Sequence, residues 1–259
     1  VGASGLVNFD KGIKVLAPRL GWENVPIKYL MEDQLDLPVC VDNNVRTMAL
    51  AEAFFGDGRG VSILAFVEGR IGGGSGIVVN GQVFHGSGAG AGEIGHTTII
   101  PKGGDTCTCG NTGCLETLLS EPVWIRAAEK LAADHPDSIL ASYLNQDQTS
   151  TRIESVFSAA RDGDSSALQF IEDRSCYLGI ALANLVNVLN PEMIILGGMF
   201  AQGADLILPV AEAKMREAAF AGLGESVILK VTSFGWRAGV IGAASLALTN
   251  YFYLNSEGL

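Results

Sequence analysis

Four potential metal ligands stand close together in the stretch from residue 92 to residue 116, GEIGHTTIIPKGGDTCTCGNTGCLE. His96, Cys107, Cys109 and Cys114 follow the spacing H-x10-C-x-C-x4-C. Thiolates and imidazole are ligands that zinc prefers, and four of them can close a tetrahedral site with Zn–S bonds of about 2.3 Å. Such a closed shell of protein ligands is structural, because it leaves no position for water or a substrate. The spacing therefore predicts a structural zinc site.

Other interpretations of these cysteines remain open. Two of the thiols could form a disulfide, or all three could be loop residues without a partner. An iron–sulfur cluster fits less well, since ordinary clusters take four thiolates and this stretch holds three of the chain's five cysteines. The odd total and the clustering favour a reducing compartment over a disulfide framework, so we expect a cytoplasmic protein.

Carboxylates flank the predicted zinc site at Glu93 and Glu116. A carboxylate accepts hydrogen bonds from hydroxyls, and a histidine bound to metal through one ring nitrogen keeps the other for a second partner. The run GEIGH followed by CxCGxxGCxE resembles the signature of the ROK family, which groups sugar kinases with sugar-responsive transcriptional repressors. The resemblance implies that Glu93, His96 and Glu116 point at a sugar. Alternatively, the two glutamates are solvated charges of a loop or a helix start.

A second polar group follows a predicted strand. LPVCVDNN, at residues 37–44, ends in Asp42, Asn43 and Asn44, and ligands of α/β folds gather at the carboxyl ends of strands. In the ROK family this junction reads roughly END or DND, and its aspartate is the general base that takes the proton from the attacked sugar hydroxyl. Asn44 falls on that position, where an amide cannot accept the proton at neutral pH. The resemblance thus implies that Asn43 and Asn44 bind a sugar without catalysing its phosphorylation. Alternatively, both asparagines cap the helix that follows, since asparagine is a preferred capping residue. Asp42 could also serve as a substitute base.

Glycines at two strand ends bear on nucleotide binding. RIGGGSG, which begins at Arg70, stands where the family has a glycine-rich phosphate loop, and glycines let backbone N–H groups approach an anion. The kinases of the family carry Gly-Thr where this chain has Arg70 and Ile71, so a tight turn without a nucleotide is as well supported as phosphate binding. At the second strand end, glycines of the kinases pass close to the adenosine, and a simple tight turn is again the alternative. The candidate nucleotide contacts are Gly72, Gly74, Gly197 and Gly198.

Composition limits the partners. With 48% hydrophobic and 17% charged residues over 259 positions, the chain has a globular composition and can bury a substantial core. The chain contains no run of about 18 apolar residues, so the sequence predicts no membrane span. The formal net charge of −11 repels a phosphate backbone, and no helix-turn-helix signature or basic stripe is present, so we do not expect this segment to bind DNA itself. His85 and His135 lack a clustered partner and are predicted to be surface or loop residues.

Alternating strands and helices predict an α/β fold. Apolar periodicity predicts helices over 26–35, 45–56, 117–135, 153–163, 165–189, 204–219 and 238–248, and strands over 37–44, 61–69, 193–198 and 227–231. Asn80-Gly81 predicts a type I′ hairpin turn. The resemblance sharpens this to the two-lobed, actin-like and ribonuclease H-like sugar-kinase fold, with a truncated N-terminal lobe whose opening strands and first phosphate loop would precede Val1.

The resemblance also divides the chain. We expect residues 1–58 to form the remainder of the N-terminal lobe, joined by a closing helix over 238–255. Residues 59–237 would form the larger C-terminal lobe with its zinc-binding loop, and the sugar would lie in the cleft between the lobes.

The resemblance and Asn44 together lead to one functional hypothesis, the effector-binding and oligomerisation portion of a ROK-type transcriptional regulator without kinase activity. It would bind a monosaccharide or a sugar derivative, form a homodimer or homotetramer, and reach DNA only through a domain upstream of Val1. The alternative is an ATP- and Mg²⁺-dependent sugar kinase of the glucokinase or N-acetylhexosamine kinase type, which needs both phosphate loops and an aspartate base. A zinc-stabilised scaffold without a ligand is a third class.

Overall fold

A computed structural model describes residues 1–17, 20–88, 90–146 and 151–253. The strands are β1 (Gly2–Ala3), β2 (Leu6–Asn8), β3 (Ile13–Ala17), β4 (Trp22–Val25), β5 (Asp42–Asn43), β6 (Ile63–Gly69), β7 (Gly73–Val79), β8 (Gln82–Val83), β9 (Met193–Gly198) and β10 (Ile228–Val231). The α-helices are α1 (Ile27–Leu35), α2 (Asn44–Phe55), α3 (Glu116–Leu119), α4 (Glu121–Asp134), α5 (Ile139–Gln146), α6 (Arg152–Arg161), α7 (Ser165–Leu189), α8 (Met199–Gln202), α9 (Ala204–Ala218) and α10 (Ala238–Leu248).

A five-stranded sheet in the order β10-β9-β6-β7-β8 forms the centre of the described structure. Strand β6 pairs parallel with β9 and antiparallel with β7, and β10 extends the parallel part. Every residue of β6 after Ile63 is buried, as expected for a central strand covered by helices on both faces. The last residues of β6 and β9, Gly69 and Gly198, lie side by side.

Successive residues of β6 pack into opposite layers, because side chains alternate across a strand. Leu64 and Phe66 belong to a core shared with α2 and α10. Ala65 and Val67 belong to the larger core, to which α4, α6, α7 and α9 contribute. The sheet therefore lies between two helical layers.

Two small sheets lie on the α2 side of the chain. Strand β1 pairs parallel with β5, which places Gly2 opposite Asp42 and Ala3 opposite Asn43. Strands β2, β3 and β4 form an antiparallel sheet. The pairing of β1 with β5 brings the segment after β1 next to the start of α2, where Asn44 is the first residue.

Glycines hold α2 between strand β7 and helix α10. A Cβ atom at Gly76 would lie 2.6 Å from the carbonyl oxygen of Val45, and one at Gly242 would lie 2.6 Å from the carbonyl oxygen of Thr47. No larger residue permits so close an approach of two backbones without a shift. Helix α2 is thus fixed on both sides by backbone contact.

Most predicted elements are confirmed, and the exceptions have local causes. The predicted helix over 117–135 is two helices, since Ser120 adopts an extended backbone with ψ of 144°. The predicted strand over 37–44 forms ladder pairs only at Asp42–Asn43. The hairpin turn is confirmed by positive φ angles at Asn80 and Gly81. Helix α10 ends at Leu248 and residues 254–255 lie outside the described residues, so the division into two lobes stays a prediction.

Candidate functional site

The four predicted metal ligands converge. Their ligand atoms all lie within 4.8 Å of one another. Nδ1 of His96 is 3.6 Å from Sγ of Cys107, and the Sγ atoms of Cys109 and Cys114 are 3.7 Å apart. A tetrahedral zinc with bonds of about 2.3 Å to sulfur and about 2.0–2.1 Å to nitrogen requires S–S separations of about 3.8 Å and N–S separations of about 3.6 Å. The donor set and its spacing therefore fit zinc, and all three cysteines are free thiols in this structure.

The loop that carries the cysteines is shaped by its own backbone. The N–H of Cys107 donates to the carbonyl oxygen of Asn111 at 2.7 Å, and a β-bridge joins Thr98 to Cys114. Gly113 has a φ of 71°, and a Cβ atom there would lie 1.8 Å from the carbonyl oxygen of Ile100. Only glycine fits this conformation and this approach. The loop thus returns to its own start and aims several thiols at one point.

The thiols differ in their readiness to lose a proton. Burial, reinforced by the neighbouring thiols, raises the pKa of Cys114 to about 12. A hydrogen bond from the backbone of Asn111 lowers the pKa of Cys109. Because zinc binds the thiolate form, binding of a cation here would release the proton of Cys114.

Glu93, His96 and Glu116 lie on one side of this cluster. With Nδ1 turned to the cysteines, Nε2 of His96 lies 4.0 Å from a carboxylate oxygen of Glu93. Burial raises the pKa of Glu93, and Glu116 raises it further, while His96 and Arg46 lower it. Glu93 is therefore close enough to His96 and Glu116 for their charges to affect its pKa. Whether these three residues bind a sugar stays a prediction.

Glu116 connects this site to the start of β7. One of its carboxylate oxygens accepts the N–H of Gly73 at 3.2 Å, and the other accepts the hydroxyl of Thr108 at 3.4 Å. A Cβ atom at Gly72 would lie 2.7 Å from the carboxylate. Gly72 therefore leaves room for an almost fully buried carboxylate, Gly73 donates a hydrogen bond to it, and Thr108 ties it to the cysteine loop.

Asn43 caps helix α2, as one of the sequence interpretations expects. Its side-chain oxygen accepts the N–H groups of Val45 and Arg46 at 2.8 and 3.2 Å, and its Nδ2 donates to the carbonyl oxygen of Gly5 at 2.9 Å. Its acceptor is thus occupied by the protein, which leaves a single N–H for any ligand. Asn44 is half-buried in the first turn of the helix.

Asp42 lies in a buried network that the sequence analysis missed. One carboxylate oxygen is 2.8 Å from Nε of Arg46 and accepts the N–H of Asn43 at 2.7 Å, and the other is 2.7 Å from Nε2 of His85. The side chain of Asp42 is 0% exposed, and Phe9 stacks on the imidazole of His85. His85 is a loop residue, as predicted, but the expectation that it lacks a partner is wrong. The i, i+4 spacing of Asp42 and Arg46 was visible in the sequence, whereas nothing in it pointed to His85.

The candidate nucleotide glycines serve close packing. Gly74 lies within β7, where a Cβ atom would meet Val45 of α2 at 3.2 Å. A Cβ atom at Gly197 would lie 2.4 Å from Phe66, and one at Gly198 would lie 3.2 Å from Cγ of Glu68. Gly72 stands beside Glu116, as described above. Whether any of the four contacts a nucleotide stays a prediction.

Comparison with known proteins gives matches over nearly the whole chain. Residues 1–250 match the family model described as the ROK family. The chain is 38% identical to a glucokinase of Halalkalibacterium halodurans over 95% of this chain and 74% of that protein. It is 33% identical to the xylose repressor of Caldicellulosiruptor bescii over 96% of this chain and 62% of that protein.

Solved structures match equally well. A ROK family transcriptional regulator, a homologue of the Escherichia coli Mlc protein, superposes with a TM-score of 0.83 and 34% identity over 94% of this chain and 60% of that one. A ROK family glucokinase from Streptomyces griseus, in complex with glucose and AMPPNP, gives a TM-score of 0.86 and 28% identity over 96% of this chain and 80% of that one. These structures confirm the predicted actin-like sugar-kinase fold and its truncation relative to longer relatives.

Proposed function

Because the chain belongs to the ROK family, whose members similar to it include both repressors and glucokinases, we propose that it is the sugar-sensing part of a transcriptional regulator. The observation that carries the proposal is the burial and ion pairing of Asp42, the carboxylate two residues before Asn44. Asn44 stands where the family's kinases have a base, and Asp42, the residue that could replace it, is fully buried and ion-paired with Arg46. Neither side chain is available to take a proton from a sugar hydroxyl.

A second observation supports the absence of kinase activity. Glu68 is 8% exposed at the end of β6, beside Gly198. Under the kinase alternative, ATP phosphates would lie at this part of the sheet, and the ionised form of Glu68 would repel them. Arg70 and Ile71 replace the Gly-Thr pair at the same place.

The effector would bind where Glu93, His96 and Glu116 meet. Glu93 and Glu116 accept hydrogen bonds from sugar hydroxyls, and Nε2 of His96 faces the same space as Glu93. Asn44 would add an amide from α2, and Asn43 its remaining N–H. Zinc, when bound by His96 and the three cysteines, supplies a structural anchor for the loop on which His96 stands.

Regulation requires that the sugar favour one of two conformations, since a ligand shifts an equilibrium only through unequal affinity for its states. Glu93 and Glu116 flank the cysteine loop, and the asparagines stand at the start of α2, so a bound sugar would draw the loop and the helix toward each other. We propose that this change reaches a DNA-binding domain outside this chain in a cytoplasmic homodimer or homotetramer. No helix in the described part of the chain is both long and apolar enough for a membrane span.

A sugar kinase is the second candidate, and the 38% identity to a glucokinase favours it. This function would require ATP, Mg²⁺ and a phosphoryl acceptor activated by a group other than Asp42. The chain spans 74% of that glucokinase and 62% of the xylose repressor, so either activity would belong to a longer protein.

The test combines binding and turnover on the full-length, zinc-loaded protein. We expect a panel of hexoses, pentoses and amino sugars to contain a ligand that binds by calorimetry, and Glu93→Gln to weaken it by about 10- to 100-fold, the range for a hydrogen bond to a charged group. Glu217→Gln, an exposed change of the same chemistry, should leave binding unaltered. Phosphorylation of any of these sugars within about 100-fold of the ordinary kinase rate of 1–100 per second would overturn the proposal.

A further inference from the structure

Lys14 is a buried cation for which the described residues supply no counter-charge. The residue is 2% exposed in β3, between Val7 of β2 and Val25 of β4. Its Nζ lies 3.5 Å from the hydroxyl of Ser4 and 4.8 Å from the centroid of the Trp22 ring. Among the described residues, Ser4 is its one hydrogen-bond partner, and no carboxylate lies within ion-pairing distance. Buried charges in proteins are normally paired, so this arrangement calls for an explanation.

The packing of Lys14 explains its stem but not its charge. The aliphatic part of a lysine can lie along apolar surface while its ammonium group reaches a polar environment. The face of Trp22 attracts the ammonium group, although more weakly than an anion at the same distance would. Burial lowers the pKa of Lys14, because desolvation disfavours its charged form. A bound anion would compensate that charge.

Contacts connect the ammonium group of Lys14 to Asn43, one of the residues of the proposed sugar site. Ser4 is exposed and stands in the short segment between β1 and β2. The next residue, Gly5, accepts the side-chain N–H of Asn43 through its carbonyl oxygen. Lys14 is therefore two contacts away from the start of α2. It is a cation connected to a site whose other charged contacts, Glu93 and Glu116, are acidic.

We propose, on the premise of the sugar site described above, that Lys14 and Ser4 bind an anionic group of the effector, so that the effector is an acidic sugar carrying a phosphate or a carboxylate. A lysine recognises a phosphate or carboxylate as a point charge, and a serine hydroxyl adds a neutral hydrogen bond. The carboxylates of the site would bind the hydroxyls of the same sugar. Their negative charge also requires the anionic group to lie at the Lys14 end of the site.

The experiment measures calorimetric affinity of the full-length, zinc-loaded protein for matched sugars. The probes are glucose, mannose, N-acetylglucosamine and xylose, each compared with its terminal phosphate ester, and glucose also with glucuronate. We expect at least one acidic member to bind about 10- to 100-fold more tightly than its neutral parent. Preference for the ester or for the uronic acid identifies which anion the site takes.

Variants then locate the preference. Lys14→Met, which keeps the buried volume, should abolish the preference for the acidic sugar over its neutral parent, whereas Lys14→Arg should retain part of it. Lys11→Met removes an equal charge at an exposed position and should change the affinity only by the small amount expected of a screened surface charge. Melting of each variant establishes that it is folded before binding is compared.

The outcomes separate this inference from the function on which it rests. Binding of neutral sugars alone, or an acidic preference that survives in Lys14→Met, overturns the role of Lys14 and leaves the sugar sensor intact. Failure of every neutral and acidic sugar to bind overturns both.

Discussion

Replacing Asp42 by asparagine should destabilise this protein more than its conservative chemistry suggests. Asp42 is fully buried, and its carboxylate contacts Arg46, His85 and the backbone N–H of Asn43 at 2.7–2.8 Å. Asparagine keeps the shape but leaves the guanidinium of Arg46, also almost fully buried, without its anion. Removing one partner of a buried ion pair costs about 3–5 kcal/mol. For a chain of this size the cost corresponds to a fall in Tm of roughly 6–20 °C.

The assay is thermal and urea denaturation of the parent protein, Asp42→Asn, Arg46→Met, the double variant and a control. Asp33→Asn, an exposed change on α1, is the matched control and should alter stability by less than about 0.5 kcal/mol. The double variant Asp42→Asn with Arg46→Met removes both charges and should recover a large part of the loss, because the cost of the single change comes from the unpaired guanidinium.

Two results would refute this reasoning. A loss below about 1 kcal/mol in Asp42→Asn would mean that the ion pair is solvated in solution. Strictly additive losses in the double variant would mean that Asp42 and Arg46 do not interact. Either result would also reopen Asp42 as an accessible base and so weaken the case against a kinase.

Two further predictions concern the metal loop and the packing of α2. Removal of zinc with a chelator should lower Tm by roughly 6–12 °C, since a cross-link that closes a loop of about 15 residues contributes about 3 kcal/mol. Cys114→Ser should reproduce this loss and release the metal. Cys176→Ser, outside the cluster, should do neither. Equal melting with and without chelator would contradict a structural metal. Gly76→Ala should lower the free energy of unfolding by about 1–3 kcal/mol, because its Cβ atom would lie 2.6 Å from the backbone of Val45. Gly88→Ala, with open space around it, should be neutral. Equal urea midpoints for the two variants would show that α2 can move away from β7.

Patterns within a short stretch of sequence predicted the local structure well. Helix α7 occupies residues 165–189 as its apolar periodicity predicts, because a long regular pattern leaves little freedom in where the helix can lie. The metal ligands were equally readable, since three of the four stand within eight residues of one another. The break at Ser120 had a local signal that the periodicity hid, because Pro122 lacks a backbone N–H and is favoured in the first turn of a helix.

The candidate site was predictable in its residue types but not in its contacts. Asn43 was expected to bind a sugar or to cap a helix. Its capping hydrogen bonds are local, whereas its hydrogen bond to Gly5 exists only because β1 pairs with β5. His85 is 43 residues from Asp42, and a lone histidine in a loop carries no signal of a buried partner. Lys14 reads in sequence as an ordinary strand lysine, and its burial follows from the packing of β3 against β4. Long-range contacts of this kind arise from the fold as a whole.

Helix α2 is held by close backbone contacts with β7 on one side and α10 on the other, so it must move together with them. Its 12 residues span about 18 Å, from Asn44 beside the candidate site to the turn near Gly56. Close to the far end, Glu52 accepts the hydroxyl of Thr232 in a buried hydrogen bond just after β10. Because the glycine contacts leave no room for α2 to shift against β7 or α10, its first turn cannot move alone. A displacement at the asparagines would have to include these neighbours and the contact with Thr232, on the opposite edge of the central sheet from the hairpin of β7 and β8.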